Sequence, residues 1–164
     1  ERLLLRPWRE TEAHVLRELW TERDPRVPPH RQIDAEGHPT VAELVEWIRT
    51  HRPTSVGLLA VEVRRTGDVV GYCGVVDTGR AATGEPELAF ELLRRAHGQG
   101  YATEASRAVL DWARSSGHAR LWATVWDWNV ASRRVLAKLG FVETDQQEVD
   151  PVRGTTLFTV KDLL

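Results

Sequence analysis

Methionine is absent from this 164-residue chain, cysteine occurs once, and neither basic residues nor long apolar runs are in excess. The missing methionine, the initiator included, leads to the expectation that a short N-terminal piece has been removed. One cysteine excludes an internal disulfide. Cys73 lies in the apolar run Val69 to Val76 with no His or Lys beside it in sequence, so a buried, inert core thiol is expected. Lys plus Arg number 22 against 24 Asp plus Glu, a formal charge of −2. An electrostatic footprint for nucleic acid or anionic membrane is therefore missing. No apolar run approaches the roughly 18 residues of a membrane span, and no signal-peptide pattern opens the chain, so a cytoplasmic location is expected. The six histidines, at 14, 30, 38, 51, 97 and 118, show no metal-ligand spacing, and no bound metal is expected. Neither GxGxxG nor GxxxxGK[ST] occurs, which removes two competitors for a phosphate-binding turn after a strand. Internal repeats, low-complexity tracts and linkers are also lacking.

With 41% hydrophobic and 28% charged residues the composition is that of an ordinary globular chain, long enough to bury a core as one domain over residues 1–164. Leu3 to Trp8 reads as a first strand, and Ala13, Leu16 and Trp20 share one face of a helix over Thr11 to Trp20. Thr21 to Pro39 carries four prolines and Gly37 and reads as a loop, of a length usually functional or disordered. Thr40 and Glu43 make a capping box for a second helix, with Val41, Leu44, Val45 and Ile48 as its apolar stripe, ending before Pro53. Val56 to Arg64 and Val69 to Val76 are strand-like and joined by an Arg65-Thr66-Gly67-Asp68 hairpin turn. Asp77 to Pro86 turns into a strand over Glu87 to Leu93. A helix from Ala102, with Ala105, Val109 and Trp112 at helical spacing, stops at Gly117. A strand over Leu121 to Trp126 follows, then a helix over Val130 to Leu139 ended by Gly140. Phe141 to Val149 and Thr155 to Val160 close the chain as strands around the Asp150 to Gly154 turn. The strand, crossover helix and strand around residues 87–126 imply a parallel pair with a right-handed connection. The whole reads as a mixed α/β domain.

Function is expected where the period changes, at the bend between the Glu87 strand and the next helix. Arg95-x-x-Gly98-x-Gly100 places two glycines where backbone approaches a ligand without Cβ interference, and the new helix turns its unpaired NH groups and positive dipole end toward an anion. Phosphate is the natural ligand.

Arg95-Ala96-His97-Gly98-Gln99-Gly100, opening a helix that begins Tyr101-Ala102-Thr103-Glu104-Ala105, resembles the pyrophosphate loop of the GNAT superfamily of acyl-CoA-dependent N-acetyltransferases, Gln/Arg-x-x-Gly-x-Gly/Ala. Upstream, Glu87-Leu88-Ala89-Phe90 resembles the Glu-Ile-Gly-Tyr strand of its RimJ/RimL-like branch. Downstream, Asn129-x-x-Ser132 and Lys138-Leu139-Gly140-Phe141 resemble that branch's Asn-x-x-Ser…Lys-Leu-Gly-Phe helix, and Arg2 to Trp8 resembles its first strand. The resemblance implies a mixed, mostly antiparallel twisted sheet of about six to seven strands flanked by about four helices. It also implies acetyl-CoA as cosubstrate, no metal, and a primary amine acceptor, either a small molecule or a protein N-terminus. Nucleic acid and membrane are not implied as partners, and the state is monomer or homodimer. Carried over residue by residue, Leu92, Leu93, Arg95, Gly98, Gln99, Gly100, Tyr101, Ala102, Thr103 and Asn129 would hold acetyl-CoA.

Acyl transfer to an amine also needs a proton acceptor and a donor for the departing thiolate. Glu87, at the start of the central strand, suits a base acting directly or through water. Alternation puts Glu91 on the same face as a rival, and either carboxylate is also what an ion-paired strand residue looks like. Glu104, in the helix's first turn, reads as a dipole-compatible or packing residue. Capping alone explains Asn129; by resemblance it would contact the CoA arm, with Ser132 near the thioester sulfur as proton donor. The wider superfamily often has a tyrosine donor in this helix, where this chain has Leu136, which leaves Ser132 or water. A thiolate is a good leaving group, with pKa about 8.5, so the loss need not abolish turnover. Trp122, Trp126 and Trp128 alternate onto one side, as core or as the wall of an acceptor cleft. A non-catalytic acyl-CoA-binding module and a purely structural domain are the competing readings.

Overall fold

The computed structural model describes residues 1–53, 57–80 and 85–164. Among them, β1 (Leu3–Arg6), β2 (Gly57–Val63), β3 (Val69–Val76), β4 (Glu87–Leu92), β5 (Arg120–Trp126), β6 (Val142–Asp150) and β7 (Gly154–Asp162) form one sheet in the order β1-β2-β3-β4-β5-β7-β6. Every neighbouring pair is antiparallel except β4 and β5, which are parallel. They are joined by α3 (Tyr101–Ser115), the crossover that a parallel pair requires. The α/β class and mostly antiparallel mixed sheet are therefore as expected, with α1 (Ala13–Glu22), α2 (Val41–Thr50) and α4 (Val130–Leu139) completing four helices among the described residues. The expected strand start at Val56 and part of the expected turn, residues 81–84, lie outside the described residues. None of the described helices is long and apolar enough to cross a membrane.

Strand alternation divides the core into two layers. Val61, Cys73, Val75, Leu88, Leu121, Ala123 and Val125 point to one face and pack against α3 and α4, while Ala60, Tyr72 and Leu93 point to the other and pack with α1 and α2. Cys73 is fully buried, and desolvation pushes its thiol up to about 12, so it is the inert core residue expected.

Local chemistry explains the small departures from the sequence pattern. The first α-helix starts at Ala13, because Glu10–Glu12 makes a short 3-10 turn: Arg6 holds the Glu12 carboxylate, which accepts Arg9 N at 2.9 Å. The Thr40 and Glu43 capping box forms as expected. On α3 the buried stripe is Ala105, Ser106, Val109, Leu110 and Ala113, and Trp112 sits outside it, tilted against His118 at 5.8 Å.

α4 buries Leu136 and Leu139 against the sheet, with Leu136 3% exposed. Leu136→Ala is therefore expected to cost about 2 to 5 kcal/mol of stability, read as a lower denaturant midpoint at unchanged slope. Turnover per folded molecule should be nearly kept; a turnover defect at parental stability would contradict this placement of the helix.

Candidate active site

β4 and β5 begin together and then part. Glu87 is opposite Trp122, and Trp122 N donates to Pro86 O at 3.1 Å. Beyond that pair no register partner continues the ladder among the described residues, so a gap opens toward the C-terminal ends of both strands. Parallel strands put those ends on one side, where open α/β sheets bind ligands. β4 runs there into the glycine bend and α3, and β5 into Asn129 and α4. The bend and the Asn129–Ser132 turn thus stand on opposite banks of one gap.

Gly98 and Gly100 have φ of +72° and +79°, in the left-handed region that glycine adopts without Cβ strain. A Cβ built on Gly98 meets nothing within 4 Å, so this face of the bend is open. The first hydrogen bond of α3 is Glu104 N to Gly100 O at 3.0 Å, so the NH groups of Tyr101, Ala102 and Thr103 are the ones helix geometry leaves without an intrahelical acceptor. The bend is tied from beneath. Leu93 N donates to Val70 O at 2.8 Å, His97 Nε2 donates to Leu92 O at 2.7 Å, and the Gln99 amide donates to Arg95 O at 3.1 Å. Leu92 and Leu93 are buried under the bend. Arg95 is half-exposed and its guanidinium meets Glu18 of α1 at 2.5 Å. Such a rigid, outward-facing set of donors suits a pyrophosphate.

A residue with no local sequence signal completes the tie. Arg2 donates to Glu104 through its backbone N (2.7 Å) and Nε (2.8 Å), and to Gln99 O at 2.9 Å, with its guanidinium 4.7 Å from the Tyr101 ring centre. For the Glu104 carboxyl, desolvation acts upward, but the Arg2 guanidinium and nearby backbone NH groups outweigh it and hold the group below its ordinary range. Glu104 is thus an anchor of the bend.

The two carboxylates on β4 have different surroundings. Glu87 is 3% exposed, its oxygens accepting from the hydroxyls of Thr78 and of Thr124 (3.1 Å). Glu91 is forked by Arg23, Nε to Oε1 and Nη2 to Oε2 both at 2.9 Å, and accepts the Tyr72 hydroxyl at 2.6 Å. Arg23 also donates to Arg31 O at 3.1 Å and lies 4.1 Å from the Trp20 ring centre. Burial, with Glu91 beside it, pushes the Tyr72 phenol upward, so it stays a neutral donor. Glu91 is in these terms a structural counter-ion, while among the described residues Glu87 is held by the neutral hydroxyls of Thr78 and Thr124.

Across the gap, Asn129 Oδ1 accepts Ser132 N at 3.2 Å, the capping role read from the sequence. Ser132 lies one turn before Leu136 on the side of α4 facing the sheet and is half-buried. Trp122 and Trp126 lie on the Glu87 face of β5, whose other face buries Leu121, Ala123 and Val125. Trp126 stacks on Trp128 with centroids 5.9 Å apart, and the Arg26 guanidinium covers Trp128 at 4.1 Å. These half-buried indoles stand outside both core clusters. Among the described residues no group of three or more His, Cys, Asp or Glu is placed to hold a metal ion.

A seven-stranded sheet parted between one parallel pair, with a glycine-rich bend at the parting, is the architecture of an acyltransferase fold. The chain belongs to the GNAT acetyltransferases: the acetyltransferase (GNAT) domain family matches residues 2–142. It is 34% identical over 100 residues to the uncharacterized protein YkkB of Bacillus subtilis, a match covering 58% of this chain and 58% of YkkB. It is 28% identical over 148 residues to the uncharacterized N-acetyltransferase p20 of Bacillus licheniformis, covering 86% of this chain and 79% of that protein. Solved structures share the fold at low identity. A GNAT acetyltransferase from Bacillus anthracis superposes with TM-score 0.78 at 18% identity, covering 99% and 96% of the two chains. The acetyltransferase yncA of Salmonella typhimurium, solved with acetyl-CoA, gives 0.72 at 19%, covering 100% and 95%. The ribosomal-protein-S5-alanine acetyltransferase of Vibrio fischeri gives 0.71 at 17%, covering 99% and 93%.

Proposed function

We propose that this chain is an acetyl-CoA-dependent N-acetyltransferase of the RimJ/RimL-like kind, transferring acetyl directly to a primary amine. The observation that carries the reading is the open, positive-φ bend at the end of β4, where β4 and β5 part, with Ser132 on the helix that follows β5. An anion cradle and a hydroxyl on opposite banks of one gap suit the two ends of an acyl-CoA, and the same fold is solved with acetyl-CoA in yncA.

Acetyl-CoA, when bound, supplies an acetyl thioester. In this reading the NH groups from Gly98 to Thr103 hold its pyrophosphate, with Arg95 adding charge and Leu92 and Leu93 flooring the bend. Asn129 contacts the arm. Glu87 takes the proton that an attacking ammonium must lose, directly or through water, with Thr78 and Thr124 aiming its oxygens. Ser132 Oγ donates to the departing sulfur. Direct attack needs no enzyme nucleophile, and Cys73, buried and protonated, offers none.

The reading is tested with acetyl-CoA and a panel of primary amines and matched alcohols. Acetylated amines are expected, and acetylation of the alcohols alone would refute N-transfer. Ser132→Ala should lower turnover on the order of tenfold while nearly keeping CoA affinity, the pattern for an interaction made mainly in the transition state. Equal losses in CoA binding would instead make Ser132 part of the cradle.

A further inference from the structure

We infer that the seam between α3 and α4 holds a second anion site, distinct from the bend at the end of β4, whose ligand is a phosphate group, either free phosphate or a small phosphate monoester. A recess of about 210 Å³ opens there, lined by Arg107, Asp111 and Arg114 of α3, Lys138 of α4 and Lys161 of β7, over the side chains of Leu110 and Leu139. Four cations meet one carboxylate, in a chain whose formal charge is −2. The sequence contains only two lysines, and the fold brings both to this one place.

Most of this charge is unpaired. Arg114 has partners: its Nη1 meets Asp111 at 3.2 Å, and its Nε donates to Leu163 O at 2.9 Å. The same pairing accounts for the carboxylate. The side chains of Arg107, Lys138 and Lys161 have no ion pair and no hydrogen-bond acceptor among the described residues, whereas Arg6, Arg23 and Arg49 each hold a carboxylate. One cation complements the negative end of α4. Lys161 does so closely, its Nζ lying 3.0 Å from where a Cβ on the capping Gly140 would stand. Lys138, in the last turn of the same helix, and Arg107 across the seam add charges that repel it. A bound dianion turns that repulsion into attraction.

Size and donor type set the ligand class. The recess is smaller than the roughly 300 Å³ at which small-molecule pockets begin, so a phosphate with a few carbons fits and a nucleotide overfills it. Its floor is apolar, Leu110 and Leu139 being 4% and 6% exposed, and this lowers the dielectric around the charges. Arg107 presents a planar fork and the two lysines present point charges, the two donor types that hold phosphate oxygens. At 1.5 Å per residue, Leu110 lies about 14 Å along α3 from Tyr101 at the bend. The inference therefore stands whether or not the bend binds acetyl-CoA.

The two lysines supply the readout. Protein labelled with ¹³C at lysine Cε gives two resonances, which Lys138→Arg assigns. Inorganic phosphate is titrated near neutral pH at an ionic strength held constant with chloride, with and without saturating CoA. Both resonances are expected to follow one saturating curve, the same in the two conditions. Arg107→Gln, a change at an exposed position, should weaken that binding by about tenfold, the effect of one lost charge-assisted contact. Glycerol 3-phosphate separates the sources: tighter binding than inorganic phosphate assigns the site to a phosphate monoester, and equal or weaker binding assigns it to free phosphate. Shifts that do not saturate, that chloride alone reproduces, or that Arg107→Gln leaves unchanged would overturn the site. Loss of the phosphate response in the presence of CoA would also overturn it, because the recess would then belong to CoA itself.

Discussion

Glu87→Gln is expected to lower turnover at pH 7 by roughly 10² or more, the range for loss of a general base. An alkylammonium has a pKa near 10.4 and cannot attack while protonated, so the proton must leave within the complex. The substitution keeps the shape of the side chain and leaves Thr78 and Thr124 able to rotate their hydroxyls toward the amide, so folding should be little changed. Raising the pH should restore part of the rate by supplying free amine from solution. Glu91→Gln should behave differently, because Glu91 neutralises the mostly buried Arg23 and binds Tyr72; its loss should appear as lower thermal stability, with the shape of the pH profile kept. If Glu91→Gln loses the rate and profile while Glu87→Gln keeps both, the wrong carboxylate carries the base. If neither changes, an acceptor arriving already deprotonated leaves positioning as the main source of rate.

Gly98→Val should raise the KM for acetyl-CoA by roughly tenfold or more, the effect of one lost bidentate or charge-assisted contact, and affect the amine far less. A Cβ at Gly98 meets nothing within 4 Å, so the valine side chain starts into open space, on the face proposed for phosphate. A left-handed backbone strains a β-branched residue wherever it occurs, so Gly67→Val is the matched control: Gly67 has φ of +76° and equally empty surroundings, in the hairpin between β2 and β3. Both variants should lose similar stability, and only Gly98→Val should lose CoA affinity by calorimetry. Parental affinity in Gly98→Val would remove the phosphate assignment.

The path from β4 through the bend to α3 was legible because it is local: alternation over Glu87 to Leu93 gives way to helical spacing after Gly100, and only glycine sits easily at the positive φ found there. Capping at Thr40 and Asn129 was legible for the same reason, since donor and acceptor lie three residues apart. What joins distant segments left no such trace. Arg2 anchors Glu104 across 102 residues and Arg23 reaches Glu91 across 68, and no periodicity links either pair. Alternation along β5 did put Thr124 between the indoles, which was a usable hint that a polar residue faced Glu87. The recess between α3 and α4 was the least visible feature. It is assembled from α3, α4 and β7, whose cations look, one by one, like solvated surface residues.

Initial rates with acetyl-CoA and one amine acceptor, varied together, test the central claim most directly. Direct transfer through Glu87 and Ser132, with no covalent intermediate, predicts intersecting double-reciprocal lines and one free thiol for each acetylated amine. Parallel lines, or thiol release that does not depend on the amine, would contradict it.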